Sequence, residues 1–387
     1  MKISHESKYM LFEGILSACN ASFMPVFYIF LLKIGYDIGQ IGWYYGLFWL
    51  VSTLFEVPFG IFTDLFGTKR TIVISILFKI IGFVFLIWGT TGIGLLIIIA
   101  LLTGIGEAGL SGTLPSWFVN VTQKKEKKDY ISTIFAKTNN ICCVIGLSVG
   151  FVSGQILYTM NHYYPVFLTL VLFSSSLFVF CLLLTDNDIE IKKQVRKKGI
   201  IKNFDFKKKR SIIVIFITIS TIDIINSGPG NQWQKIFEGM EMYGYLWIGV
   251  NLATLLGNWI ISKDIIVKLS KGNSDLLVVM KVVLLFLMYA LKNYSIVVFT
   301  ILFFIYVVVY QVHYVLNISY IHTSVVTNDD TRNEEISTFN MTSSLMSTFS
   351  LIIGGYLGSF YGILLGWCIM GTVSFIIYFS FRNKVWR

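Results

Sequence analysis

Charge is the scarcest property of this sequence. Only 13% of its 387 residues are Asp, Glu, Lys or Arg, about half the share of a soluble globular chain. With 55% hydrophobic residues and a mean hydropathy of +0.72, so few charges exclude a water-solvated domain and make the bilayer the solvent. Arginine is missing altogether from the long apolar runs, which disfavours uptake of organic anions. There is no cysteine–histidine cluster with metal-ligand spacing, no phosphate-cradling glycine loop and no catalytic serine context. No hydrophilic stretch is long enough for a signalling domain. An enzyme or a sensor is therefore disfavoured, and no cofactor is expected. The five cysteines (Cys19, Cys142, Cys143, Cys181 and Cys368) all lie in apolar runs and read as buried thiols rather than disulfides.

Apolar runs are what the chain does have. A hydrocarbon core about 30 Å thick needs roughly 20 helical residues. Runs of that size fall at 9–34, 38–62, 71–90, 93–120, 130–158 and 163–185, then at 211–230, 244–262, 275–292, 294–321, 336–360 and 361–381. The first run exceeds a signal-peptide core and has no small-residue cleavage site after it, so it reads as a retained span. Residues 186–210 form a basic, hydrophilic connector between the two sets of six. The expected organisation is a six-helix bundle over 1–185, a linker over 186–210 and a second bundle over 211–387.

The bases set an orientation. If both termini are cytoplasmic, the inside loops hold 25 of the 31 lysines and arginines, and the outside loops hold only Lys33, Lys235 and Lys292. That asymmetry is the positive-inside pattern. It also accounts for the net charge of +10 without nucleic acid. An internal echo supports duplication. The fifth span carries Gly146, Gly150 and Gly154, and the eleventh carries Gly354, Gly358 and Gly362. Such stripes predict close approach of a neighbouring helix.

Between the second and third spans lies "GIFTDLFGTKR", with Gly60, Asp64, Gly67, Lys69 and Arg70 in eleven residues. Gly60 is expected to end a span where a facing helix comes close, and Gly67 to permit a tight reversal. Asp64 is suited to the positive end of a helix dipole. In this hairpin the sequence resembles the major facilitator superfamily, whose signature has these five residue types at this spacing. The resemblance implies an all-α membrane protein with twelve transmembrane helices in two pseudo-symmetric six-helix bundles. It implies a gating latch in the hairpin, with the start of the eleventh span (336–340) as the partner of Asp64. Spans one, four, seven and ten would line a cavity. The match departs from the family's drug exporters at two places. No arginine precedes Gly104 and Gly106, and Phe151 follows Gly150 where a proline is usual.

Ionisable groups within or near the spans are Glu13, Glu56, Lys79, Glu107, Lys137, Asp223 and Lys281. Such groups are costly in lipid and face cavities or partners. Glu13, Lys137 and Lys281 lie near cytoplasmic helix starts and are expected to snorkel; Lys79 is deeper and can snorkel or pair with an acid. Glu56, in "FEVPFG" ahead of the hairpin, resembles the Glu-x-Pro of bacterial exporters. It reads either as a helix-bonding carboxylate or as a proton site. Glu107, mid-span in "GIGEAGLSG", reads as a proton-coupling carboxylate with glycine-made space around it, or as half of an ion pair with Lys79 or Lys137. Asp223 is the seventh-span candidate, and Ser227-Gly228-Pro229-Gly230 after it is expected to break or end that helix. Asn20, Tyr28, Trp49, Tyr310 and His313 are candidate cavity residues, with His313 also readable as a helix–helix hydrogen bonder.

These readings converge on a secondary active transporter. The expected activity is proton-coupled export of amphipathic small molecules by alternating access, with facilitated import of a small metabolite as the alternative. The partners expected are the small-molecule substrate, protons and the lipid bilayer, with no nucleic acid, and the chain is expected to act as a monomer. The expected location is a plasma membrane of bacterial type, multi-pass, with both termini cytoplasmic.

Overall fold

A computed structural model describes residues 4–89, 91–122, 128–184, 206–261, 274–326 and 332–384. Among them every regular element is a helix, as the bilayer demands, since a helix satisfies its backbone groups internally. Ten helical segments are long and apolar enough to cross a membrane. The first and eleventh expected spans fall outside that count. The first is split into His5–Ala21 and Phe27–Lys33. The eleventh, Arg332–Tyr361, is rich in Ser and Thr and begins with charged residues.

The chain divides into two compact units. Unit 1 comprises Met1–Tyr36, Leu47–Asn203 and Phe237–Trp247, and unit 2 comprises Asp37–Gly46, Phe204–Ile236 and Ile248–Arg387. Each unit thus takes in the first turns of a helix that continues in the other. The expected 186–210 linker lies largely outside the described residues, but its last five residues already belong to the helix Phe206–Ile219.

In unit 1 the core is aromatic. Tyr9 stacks on Phe118 with ring centroids 4.6 Å apart, and Phe12 stacks on Phe180 at 4.5 Å. The break in the first span at Ser22–Val26 is held by buried hydroxyls. Ser22 Oγ lies 2.7 Å from Thr169 Oγ1, and the Ser153 hydroxyl donates to the Ser22 carbonyl. The glycine stripe of the fifth span works as expected. A Cβ on Gly150 would sit 2.2 Å from the Trp247 indole, one on Gly154 would meet the backbone of Gly244 at 3.0 Å, and Trp247 Nε1 donates to the Gly146 carbonyl at 3.1 Å.

In unit 2 the eleventh-span stripe is displaced from its expected register. Gly355 makes the closest contact, with its Cβ position 2.9 Å from Gly42 Cα, and Gly358 approaches Ile38. Gly354 has only ordinary neighbours, and Gly362 (φ +88°) sits past the helix end. The expected helix break after Asp223 is also absent. The helix Thr221–Ile236 runs straight through Gly228-Pro229-Gly230, and the interruption falls earlier, at Ser220. Proline removes one intrahelical N–H and leaves the carbonyl four residues back without its donor. Here that carbonyl belongs to Ile225, and the buried Tyr306 hydroxyl donates to it at 3.0 Å. Gly228 leaves room for Trp367, whose Nε1 donates to Gln232 Oε1 at 2.8 Å. The tenth span therefore repairs what the proline breaks, and the twelfth packs on the glycine.

The hairpin follows its expected reversal at one glycine and not at the other. The second-span helix Ile38–Phe66 continues past Gly60, which has no neighbouring atom within 4 Å of a Cβ position. Gly67 is buried with φ +91° and starts the helix Thr68–Trp88, a conformation in which a side chain would be strained. Thr71 Oγ1 donates back to the Gly67 carbonyl at 3.0 Å, and Lys69 Nζ donates to the Cys181 carbonyl at 2.7 Å. Asp64 and Arg70 are exposed.

Candidate functional site

The glycines of the fourth span (Ile93–Leu110, then Thr113–Thr122 after a break at Gly112, φ +71°) were expected to leave space around Glu107. At Gly104, Gly106 and Gly109 that space is instead filled by neighbouring backbone and side chains, while Gly112 stays open. A Cβ on Gly106 would lie 2.7 Å from the Ser75 carbonyl and 2.8 Å from Lys79 Cγ, one on Gly109 would strike Ser75 Oγ, and one on Gly104 would lie 2.8 Å from the Phe48 carbonyl. The third span is thereby drawn against the fourth at Glu107. Lys79, buried at 2% exposure, reaches across and places Nζ 2.5 Å from Glu107 Oε2, with the Phe48 ring 5.2 Å away. Buried carboxylate and ammonium groups tolerate low dielectric only when so paired.

Glu107 keeps 26% exposure because its other side faces a cavity of about 490 Å³ within unit 1. The first span contributes Tyr9, Glu13, Ser17 and Asn20, the fourth Glu107 and Ser111, and the fifth Thr138, Asn139 and Cys142. Ser17 and Thr138 give their hydroxyl protons to the backbone, at Cys142 and Ile134. Glu13, expected to snorkel, is a wall of this cavity.

Unit 2 holds a second set of ionisable groups within its helices, Lys281 buried and Asp223 partly so. Asp223 accepts from Ser343 Oγ at 2.5 Å. Lys281, also expected to snorkel, is 1% exposed and lies within electrostatic reach of both Asp223 and His313. No ion pair closes between Lys281 and Asp223. His313 is 1% exposed and neither ring nitrogen has a hydrogen-bond partner among the described residues, where it is not the helix–helix hydrogen bonder that its position suggested.

The helices long and apolar enough to cross a membrane agree with the comparisons. The family model described as Major Facilitator Superfamily matches residues 10–331. The chain belongs to the Major Facilitator Superfamily. This facilitator is 23% identical over 245 residues to the "Uncharacterized MFS-type transporter YxaM" of Bacillus subtilis (strain 168), covering 60% of this chain and 59% of that one. It is 26% identical over 212 residues to the "Uncharacterized MFS-type transporter MJ1560" of Methanocaldococcus jannaschii, covering 53% and 52%. The chain thus spans between half and three fifths of these relatives' length. Its fold is similar to the crystal structure of nucleoside transporter NupG, with a TM-score of 0.78 at 15% identity over 99% of each chain. It also resembles that of a bacterial homolog to the human lysosomal transporter Spinster, with a TM-score of 0.67 at 10% identity over 97% and 96%. The protein is a multi-pass membrane protein of a transporter family.

Within this facilitator the cavity candidates separate. Asn20 lines the unit 1 cavity. Tyr28 is fully buried at 1% exposure and is not part of that wall. Trp49 is 43% exposed, with its ring edge-on to Phe48, and is not part of the unit 1 cavity wall. Tyr310 stacks on Tyr314 with centroids 6.0 Å apart. Glu56 is exposed and lies away from the unit 1 cavity. Sequence reasoning missed Glu13, Tyr9, Ser111, Thr138 and Asn139 as cavity residues. The signal for the fifth-span pair was present in "AKTNN", two amides in an otherwise apolar helix.

Proposed function

We propose that this facilitator is a proton-coupled exporter of small amphipathic molecules, working by alternating access, with the unit 1 cavity as its substrate site. One observation carries the reading: each unit sets a lysine of its third helix, Lys79 or Lys281, within reach of a carboxylate at membrane depth, Glu107 or Asp223. Intramembrane charges of this kind mark ion pathways by default. A proton arriving at the carboxylate competes with the lysine for the same oxygen. Protonation leaves a neutral acid and frees the ammonium, so the energy of the couple depends on which side supplies protons. Glu107 is the more direct carrier, because its carboxylate is both paired and open to the cavity. Asp223 carries the second coupling role, and Glu56 is the third candidate. The direction rests on the Glu-x-Pro resemblance at Glu56 and Pro58 and on spans free of arginine.

The latch at Gly60, Asp64, Gly67, Lys69 and Arg70 belongs to the same reading, as do cytoplasmic termini, a bacterial plasma membrane and a monomer. The test is transport in everted membrane vesicles over a panel of amphipathic compounds, with and without a protonophore. Accumulation that collapses on protonophore addition supports the reading. Accumulation indifferent to it, or transport that only equilibrates the compound, sinks the coupling. The alternative, import of a small metabolite, is favoured by the amides and hydroxyls of the cavity wall. It predicts uptake into right-side-out vesicles instead.

A further inference from the structure

The unit 1 cavity has two carboxylates on its wall, and only one of them has a cation. Glu107 is joined to Lys79 at 2.5 Å. Glu13 stands with Tyr9 as its polar neighbour, and no lysine or arginine among the described residues pairs with it. The lysine nearest in sequence, Lys8, gives its Nζ to the Leu183 carbonyl at 2.8 Å, and Lys137 is exposed. The side-chain amides of Asn20 and Asn139 face the same cavity, and neither has a hydrogen-bond partner among the described residues. An ionised carboxylate in a low-dielectric wall is stabilised by an opposite charge and by donors. Among the described residues the protein supplies one donor, the Tyr9 hydroxyl, and withholds the charge.

We propose that Glu13 is the anchor for a cationic group on the substrate, a small organic amine or ammonium ion. Asn20 and Asn139 orient its polar remainder, and the aromatic faces of Tyr9 and Phe135 receive its apolar part. The Lys79–Glu107 pair then has a distinct place in the same cavity. It keeps the second carboxylate neutralised, so the wall presents one negative charge and not two. This selects monocations and leaves dications half satisfied. Glu13, unlike Glu107, touches substrate directly. The assignment rests on reading the cavity as the substrate site. It does not depend on transport direction or on coupling.

The test is binding of a matched pair, 4-phenylbutylamine and 4-phenylbutanol, to the purified full chain in detergent, followed by calorimetric titration. The wild type should bind the amine at least tenfold more tightly than the alcohol. Glu13→Gln should remove that preference, bringing the amine's affinity down to that of the alcohol, and Glu13→Asp should retain part of it. A second measurement needs no variant. Modification of Glu13 by a hydrophobic carbodiimide, followed by peptide mass spectrometry, should be slowed by the amine and not by the alcohol. Equal affinity for the two compounds in the wild type, an amine preference that survives Glu13→Gln, or labelling unaffected by the amine would each overturn the assignment. Protonophore-sensitive accumulation persisting beside such a result would leave the exporter reading standing and remove only the anchor. Amine binding at Glu13 without coupled transport would do the reverse.

Discussion

The two units solve one problem in two ways. Both carry a lysine on their third helix and an acid at depth. In unit 1 the groups close to a direct ion pair on a cavity wall, because Gly106 lets the third and fourth helices touch backbone to backbone and Gly109 leaves room for the Ser75 side chain. In unit 2 the acid is held by a serine hydroxyl, and among the described residues the buried lysine has no ion pair and His313 nearby has no hydrogen-bond partner at its ring nitrogens. The difference teaches where the energy of each site resides. A closed pair depends on its partner, whereas an open couple depends on dipoles and on whatever proton or solute enters.

That comparison breaks most readily at Lys79. Lys79→Met leaves Glu107 charged and unpaired beside the third helix, and removing one member of a buried pair costs about 3–5 kcal/mol. The thermal midpoint in detergent should fall sharply, and the double change Lys79→Met with Glu107→Gln should recover most of the loss. In unit 2, Lys281→Met with Asp223→Asn should show a much smaller coupling energy, because no ion pair joins them. Equal coupling in both units would erase the distinction. In transport, Glu107→Gln and Asp223→Asn are each expected to abolish uphill movement while permitting exchange. Protonophore-sensitive accumulation by either variant removes that carboxylate from the coupling mechanism.

A sharper and smaller test concerns the proline of unit 2. Tyr306→Phe strands the buried Ile225 carbonyl, which should cost about 1–3 kcal/mol. Pro229→Ala restores a backbone N–H there, so Tyr306→Phe should cost clearly less in that background. Ser343→Ala removes the hydroxyl from Asp223, a hydrogen bond to a charged group worth about 1.5–3 kcal/mol, and should lower the thermal midpoint less than Lys79→Met does. For the hairpin, Gly67→Val forces a β-branched side chain to positive φ, which costs roughly 1–3 kcal/mol. It should reduce turnover more than abundance, and normal turnover would dismiss the latch. The smallest effect is expected in the connector, where a neutral Gly/Ser segment of equal length in place of 186–205 should leave transport in correctly inserted protein nearly unchanged.

Much of this was legible in composition and order. An all-helical membrane chain, ten of the expected spans and the hairpin motif follow from local properties: apolar length against bilayer thickness, and five residue types at fixed spacing. Backbone chemistry in lipid permits little else, so the helices needed no tertiary information. Depth and partners did. Glu13 and Lys281 lie where long side chains usually snorkel, and packing turned both inward. Glycines around Glu107 read as empty space, and tertiary contact filled that space with the third helix and its lysine. Gly228-Pro229-Gly230 read as a break, and a tyrosine hydroxyl from a helix some 80 residues away supplied the missing donor. Local sequence states which groups must be satisfied, and only the fold states by whom, because the partners of a buried charge or carbonyl are chosen by packing across distant segments.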